Sequence, residues 1–515
     1  MNTEKKTSFR IILLVMVIVF ALTLCACGEK QEESSEGEKK EETVEHVHDY
    51  TIEVGKSAGT CISKSYVEYA CSAGDGATKR VEGGFGNHSY ISHVCQYCGD
   101  IEKGDFVYEI GPNVKAYLYK ELSDNYFLFI AGSGMTHNYT KSKKAPFATY
   151  AELIDNISIQ NTVNGIGDYL FYGLSQFNLI DGGEGISSIG DYAFYGCADL
   201  NSITFSNKVT HVGKYAFGNC TDLLTCTIPS DKADIGECAF AGCRNIGSLT
   251  LPIVSYTKVT PDVVFGALFG YSEEYIENAG QVLTINDKTY YYNIPKTNFS
   301  LVINGSGVIP ERYFQGCTAF SSLVLSGDVT AIGNYAFSKC TELIELDVGD
   351  ALEEIGEYAF ELDASLSSFN APETLRHIGK NAFYYCTSMT NFNYNGDLLD
   401  TIEMATFEGC TSLQKYVIGD NVQNIYMDAF KGCSKMNELV IGSGLVSCNN
   451  AFNYGADKLI IRSENICNLK DDKYNIYEQA QQVYVRRDII LASDCYILKN
   501  FVYNNENEEY IIYKK

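Results

Sequence analysis

The amino-acid sequence predicts a β-rich solenoid: coils of about 23 residues, one short parallel strand per coil, capped at both ends and preceded by a small cysteine- and histidine-bearing module. Three observations predict it. The phrase I-G-D-Y-x-F-Y-G occurs twice between Ile166 and Cys197. Its phenylalanine recurs as Phe171, Phe194, Phe217 and Phe240 at steps of 23, then as Phe314, Phe337, Phe360, Phe383, Phe407, Phe430 and Phe452 at steps of 23, 23, 23, 24, 23 and 22. Around each phenylalanine the same residue types return at the same offsets, which is the mark of stacked structural units.

Five positions before the phenylalanine stands an aliphatic residue: Ile166, Ile189, Val212, Ile235, Ile309, Ile332, Ile355, Ile378, Ile402 and Ile425. Glycine often follows it (Gly190, Gly213, Gly333, Gly356), as expected where the chain turns tightly. Six positions after the phenylalanine comes Leu200, Leu223, Leu343, Leu366 or Leu413. At plus nine and plus eleven come Ile203 with Phe205, Leu323 with Leu325, Leu346 with Val348, and Leu439 with Ile441. Spacing by two places each pair on one face of a strand, and L-x-x-[IL]-x-[ILV] is the strand pattern of a leucine-rich repeat. A single unit cannot bury its apolar face. Stacked units bury a continuous core in which each touches only its neighbours.

Three positions after the phenylalanine lies a cysteine in most copies: Cys197, Cys220, Cys243, Cys317, Cys340, Cys386, Cys410 and Cys433, with Leu174, Asp363 and Gly455 breaking the series. Once-per-coil recurrence reads as a ladder of small buried side chains whose S–H satisfies a turn carbonyl. Parallel Cβ vectors on adjacent rungs make disulfide geometry poor. Cys226 and Cys238 replace an apolar and a tyrosine position and read as packing too. Tyrosine recurs two positions before the phenylalanine (Tyr169, Tyr192, Tyr215, Tyr335, Tyr358), predicting a tyrosine-lined ridge.

The wording I-G-x-x-A-F-x-x-C followed by L-x-x-I-x-[IL] resembles the BspA-like leucine-rich-repeat surface proteins over roughly residues 151 to 470. The resemblance implies a right-handed solenoid on a bacterial surface, adhesion to matrix proteins or other cells, and no catalytic residues.

From the beginning of the chain, Lys5, Lys6 and Arg10 precede an apolar run from Ile11 to Leu24, the form of a secretory signal. It ends Leu24-Cys25-Ala26-Cys27-Gly28, which resembles the bacterial lipobox with Cys27 as the acylated residue and residues 1–27 as the leader. Residues 28–47 are acidic and almost free of apolar side chains, so they are expected to form a disordered, self-repelling stalk. Residues 48–104 carry HDY at 48, Cys61, YAC ending at Cys71, NHSY at 87 and HVCQYCG from His93. Cys95-x-x-Cys98 followed by Gly99 matches the tight turn of a zinc knuckle, while Gly74 stands where the first half would need a second cysteine. Cys61, Cys71, Cys95 and Cys98 form a candidate structural zinc set, with His88 or His93 as substitutes; disulfides are the alternative outside the membrane. Either staples a domain too small to hold itself.

Residues 105–160, with the apolar YFLFIAGSGMTHNY, resemble the cap that opens such arrays, and the solenoid is expected over 161–470. Its regularity breaks over 252–308, where a variant repeat containing Tyr290, Tyr291 and Tyr292 is expected; long insertions map to loops on one face. Residues 471–515 read as a last irregular coil closing the open end. No sorting motif or second apolar span follows them, so the lipid is expected to be the anchor.

With 515 residues, 45% hydrophobic content and net charge −26, the chain is expected to fold and to avoid nucleic acid. The non-repeat segments leave no room for a catalytic domain. Four of the seven His residues fall in or near the first module (His46, His48, His88, His93), His137, His211 and His377 stand isolated, and no H-E-x-x-H is present. The expected function is therefore non-catalytic binding of an extracellular protein or glycan at the outer face of a bacterial membrane. The alternative is the substrate-binding arm of a hydrolase acting on wall or host polymer.

Overall fold

A computed structural model of the chain describes residues 50–57, 64–71, 78–85, 90–91, 94–96, 101–253, 264–295, 298–448, 450–452, 456–463, 480–487, 502–507 and 509–514. The leader with Cys27, the acidic stretch 28–47, and Cys61, His88, His93 and Cys98 lie outside these residues. The chain divides into two compact units, Met1–Glu102 and Lys103–Lys515. In the first, Tyr50–Ser57, Lys64–Cys71 and Thr78–Phe85 form an antiparallel sheet with Lys64–Cys71 at its centre, and Tyr90–Ile91 pairs with Val94–Cys95.

The second unit is the solenoid. It opens on an antiparallel meander, Phe106–Gly111, Val114–Lys120 and Tyr126–Gly132. The last of these strands then pairs in parallel with Ile154–Ile159, converting the meander into coils. From there two rows of short parallel strands run along the array. One contains the plus-nine residues: Ser202–Thr204, Thr225–Thr227, Ser248–Pro252, Ser300–Asn304, Ser322–Ser326 and Glu345–Asp347, resuming as Ser368–Ala371, Asn391–Tyr394, Lys415–Val417, Glu438–Ile441 and Lys458–Ile461. The other contains the aliphatic residue before each phenylalanine, as in Ser188–Ile189, His211–Val212 and Asp234–Ile235. The expectation of one strand per coil is thus refined to two. The second strand is only two residues long in most coils, too short to show an alternating pattern in sequence.

The interior is filled once per coil. Each repeat phenylalanine is 0–1% exposed, and consecutive rings stack with centroids 4.9 to 5.5 Å apart within the two regular blocks. Each buried ring contributes about 1.5–3 kcal/mol relative to exposure. The cysteine ladder forms as expected. Seven thiols donate to the carbonyl oxygen of the preceding coil's phenylalanine at 3.0 to 3.3 Å, Cys197 to Phe171 and Cys340 to Phe314 among them. The thiols are buried and free of disulfides. Burial pushes those of Cys197, Cys220, Cys340, Cys386 and Cys410 well above their ordinary range.

The glycines after the aliphatic residue serve close approach and not a turn. A Cβ at Gly190 or Gly213 would lie 2.5 Å from the backbone nitrogen of Asp168 or Asp191 in the coil before, and one at Gly356 2.7 Å from that of Asn334. The tight bends fall elsewhere, two positions either side of the phenylalanine. Before it, Tyr169, Tyr192, Tyr215, Arg312, Tyr335 and Tyr358 adopt φ of 53° to 59°. After it, Gly173, Gly196, Asn219, Lys339 and Leu362 adopt φ of 54° to 75°. This left-handed region costs a non-glycine residue about 1–2 kcal/mol, which the stack of coils must offset.

The irregular region is a side excursion from a continuous row. Ser248–Pro252 pairs in parallel, residue by residue, with Ser300–Asn304, so the latter strand belongs to the coils although it lies inside the expected 252–308 interruption. Between them a 3-10 helix, Phe265–Phe269, and an antiparallel sheet of Tyr271–Ser272, Lys288–Tyr292 and Gln281–Ile285 form a local module. Phe269 and Phe265 carry the ring stack across it: Phe240 to Phe269 is 6.0 Å, Phe265 to Phe269 is 5.7 Å, and Phe265 to Phe314 is 5.1 Å. At the far end Gln482–Arg486 joins the row in parallel. Tyr510–Lys514 and Val502–Glu506 then close the row in antiparallel fashion.

Candidate functional site

The predicted tyrosine ridge exists as two files. The turn two positions before each phenylalanine projects Tyr169, Tyr192 and Tyr215 one above the next, with centroids 4.8 and 5.0 Å apart and planes within 15°. Beside them Tyr172 stacks on Tyr195 at 5.3 Å, and tilted contacts join the files at 5.3 and 5.5 Å. This second file was present in the sequence phrase Y-x-F-Y-G but was not singled out there. The rings are half-buried. Partial burial first, then the neighbouring phenols, raises the hydroxyl pKa of Tyr169 and Tyr192. In the later coils Tyr335 stacks on Tyr358 at 4.9 Å, and the Arg312 guanidinium takes the slot one coil before Tyr335, 4.6 Å from its ring centre.

The first ladder ends at a groove of about 1020 Å³. Cys238 occupies the slot after Tyr215 with the same left-handed backbone, φ 58°. It is buried and too small to continue the stack. The Tyr215 hydroxyl is raised by its hydrogen bond with the Cys238 side chain and by burial. Gly218 stands where the second file would continue, and its Cβ would lie 2.6 Å from the Tyr195 ring. The backbone ladder opens at the same level. Gly173, Gly196 and Asn219 donate to the next coil at Tyr195, Gly218 and Ala241, at 2.7 to 2.8 Å. The next in that series, Gly242, has no acceptor among the described residues; the Gly270 carbonyl beside it accepts from Asn293 instead. The excursion after Pro252 causes this break by replacing the next regular turn with the Phe265–Phe269 helix. Asn219, Glu237, Arg244, Tyr271 and Asn293 complete the polar wall, and the Asn219 amide donates to the Tyr195 hydroxyl at 2.7 Å.

The candidate metal residues are only partly placed. Cys71 ends the strand Lys64–Cys71, opposite Tyr50, and Cys95 ends the strand Val94–Cys95, opposite Tyr90. The Cys95 thiol is buried, 2% exposed, and not in a disulfide. The other candidates, Cys61, Cys98, His88 and His93, lie outside the described residues, as does the lipidation candidate Cys27. Among the described residues no group of three or more His, Cys, Asp or Glu side chains is placed to hold a metal ion.

A family model described as the BspA type leucine rich repeat region, in six copies, matches residues 144–265, 283–400, 307–437 and 400–507. No curated protein matches the chain. Among solved structures, a leucine-rich repeat protein from Bacteroides ovatus is 18% identical, covering 74% of this chain and 99% of that one, with a TM-score of 0.31. One from Eubacterium ventriosum is 17% identical over 73% and 92%, with a TM-score of 0.26. A leucine rich cell surface protein from Faecalibacterium prausnitzii is 18% identical over 68% and 94%, with a TM-score of 0.23. The periodic phenylalanine stack, the cysteine ladder and the family match run through the same coils, well over half of the sequence, and the chain belongs to the BspA-type leucine-rich repeat family.

Proposed function

We propose that the protein is a non-catalytic bacterial surface lipoprotein, held at the outer face of the membrane through Cys27, that binds an extracellular protein or glycan with its solenoid. The observation that carries the reading is the division of labour within each coil. Phenylalanine, cysteine and aliphatic residues fill the interior and fix the coil, so the outward positions are free to form a recognition surface. The tyrosine files and the groove that ends them are the part of that surface richest in groups that grip a ligand. The candidate zinc set Cys61, Cys71, Cys95 and Cys98 is given a structural role in the first unit and none in binding. At net charge −26 the chain repels nucleic acid and other polyanions. Two experiments test the reading. Exposing the purified full chain to arrays of matrix proteins and glycans should give saturable binding, and an array without any response sinks it. In cells, Cys27→Ala should release the protein or leave it unprocessed; processed Cys27→Ala protein retained in the membrane excludes the anchor.

A further inference from the structure

The groove between Gly242 and Asn293 is a break in an otherwise continuous wall, and its chemistry is unlike that of the flanking coils. Its apolar surface includes the aromatic rings at the end of a stack, beside Ala241 and Pro295. Tyr195 and Tyr215 close one side and Tyr271 stands on the excursion. Its polar surface comes from planar groups that donate and accept in a fixed plane: the exposed amides of Asn219 and Asn293, the exposed guanidinium of Arg244 and the half-buried carboxylate of Glu237. The Gly242 N–H, which has no acceptor among the described residues, adds a main-chain donor. A sugar ring presents the matching surface, an apolar face of C–H groups rimmed by hydroxyls that both donate and accept.

Three observations select among ligands. A protein partner of ordinary size covers roughly 800 Å² on each side with an apolar centre, whereas this is a concavity with a largely polar lining. Its volume of about 1020 Å³ is at the upper end of ordinary small-ligand sites, about 300–1,000 Å³. One acid and one base balance within the lining, while the molecule as a whole carries −26, which disfavours an acidic glycan.

We propose that this groove is a binding site for a neutral oligosaccharide, with the ring of Tyr215 as the platform and Asn219, Glu237, Arg244 and Asn293 as the groups that engage hydroxyls. The site deepens the surface-binding reading and rests on it.

The test uses the purified full chain and isothermal titration with cellohexaose, mannohexaose and chitohexaose as probes. At least one should bind saturably with Kd below about 1 mM. Arg244→Ala, at an exposed position, and Tyr215→Ala should each weaken it about tenfold or more. Tyr335→Ala, in the separate tyrosine stack of the later coils, should leave it unchanged. The proposal is overturned if none of the three probes binds, or if Arg244→Ala and Tyr215→Ala bind the probe as the unaltered chain does. Adherence of the same variants to matrix-coated surfaces separates this failure from that of the broader reading. Adherence by the unaltered chain when none of the three probes binds overturns the groove alone and points to a ligand held elsewhere on the solenoid. No adherence by the unaltered chain overturns the surface-binding reading.

Discussion

Asp363 sits on the cysteine ladder where its neighbours carry thiols, and its carboxyl is fully buried. One oxygen, Oδ1, accepts from the Cys340 N–H at 2.7 Å. The other, Oδ2, has no partner. The titratable groups around it are the thiols of Cys340 and Cys386 and the carboxylate of Glu361, none of them a cation. Burial therefore dominates and holds the acid well above its ordinary value of 3.8, against the smaller opposing pull of the Cys340 N–H. The folded state keeps the proton more tightly than the unfolded chain. The stabilising contribution of the neutral acid is complete below 3.8 and is lost as pH rises through the window up to the raised folded-state value. Asp363→Asn keeps an acceptor for Cys340 and adds neutral donors where the ladder thiols have theirs. It should match the parent in acid and exceed it at neutral pH. The advantage should grow by about 1.4 kcal/mol per pH unit within the window and reach at least the about 1–3 kcal/mol of an unpaired buried polar group. Urea unfolding of both chains at a series of pH values measures the gap directly. A gap that is constant with pH, or largest in acid, refutes a neutral buried acid at this rung.

Three further outcomes follow from the coils and the first unit. Thiol counting on the native chain should leave the ladder cysteines unreactive at pH 8, all becoming reactive in denaturant; disulfides between neighbouring coils refute the ladder. Gly213→Ala should destabilise the chain by about 1–3 kcal/mol, since its Cβ would press on the Asp191 backbone nitrogen at 2.5 Å; a neutral effect in urea unfolding shows that the coils can separate freely. If the first unit is stapled by zinc, the full chain should carry about one zinc and lose it in Cys95→Ser. Mass spectrometry finding Cys61–Cys71 and Cys95–Cys98 bridges and no metal excludes that set.

What could be read from sequence was whatever recurs once per coil because it fills the interior. The phenylalanines, the aliphatic residues and the thiols have no other place to go, so their spacing is the fold. The second strand row was hidden because strands such as His211–Val212 and Glu354–Ile355 are two residues long. Gly190 and Gly213 were visible, but a sequence does not distinguish a glycine needed for a bend from one needed for contact between coils. The left-handed tyrosines were also hidden: nothing about Tyr192 or Tyr358 signals a φ near 55° that asparagine or glycine would normally take. The excursion's use of Phe265 and Phe269 to bridge the stack falls off the 23-residue period. The groove is defined by what is missing from it. Its one sequence signal is Cys238 in a tyrosine slot, which reads as packing until the ring stack is seen to stop there.

The ring stack also makes the protein a ruler. Within each regular block a repeat ring stacks on the repeat ring before it and the one after it, at 4.9 to 5.5 Å. Copying one repeat in the gene inserts one rung and leaves every existing contact as it was. Deleting one removes a rung and rejoins like with like. Length can therefore drift by inheritance in increments of one ring spacing, while each outward face changes by ordinary substitution on its own rung. The excursion after Pro252 obeys the same rule, because Ser248–Pro252 meets Ser300–Asn304 as if nothing lay between them. A lineage can enlarge, replace or discard what hangs from that seam without resetting the coils on either side.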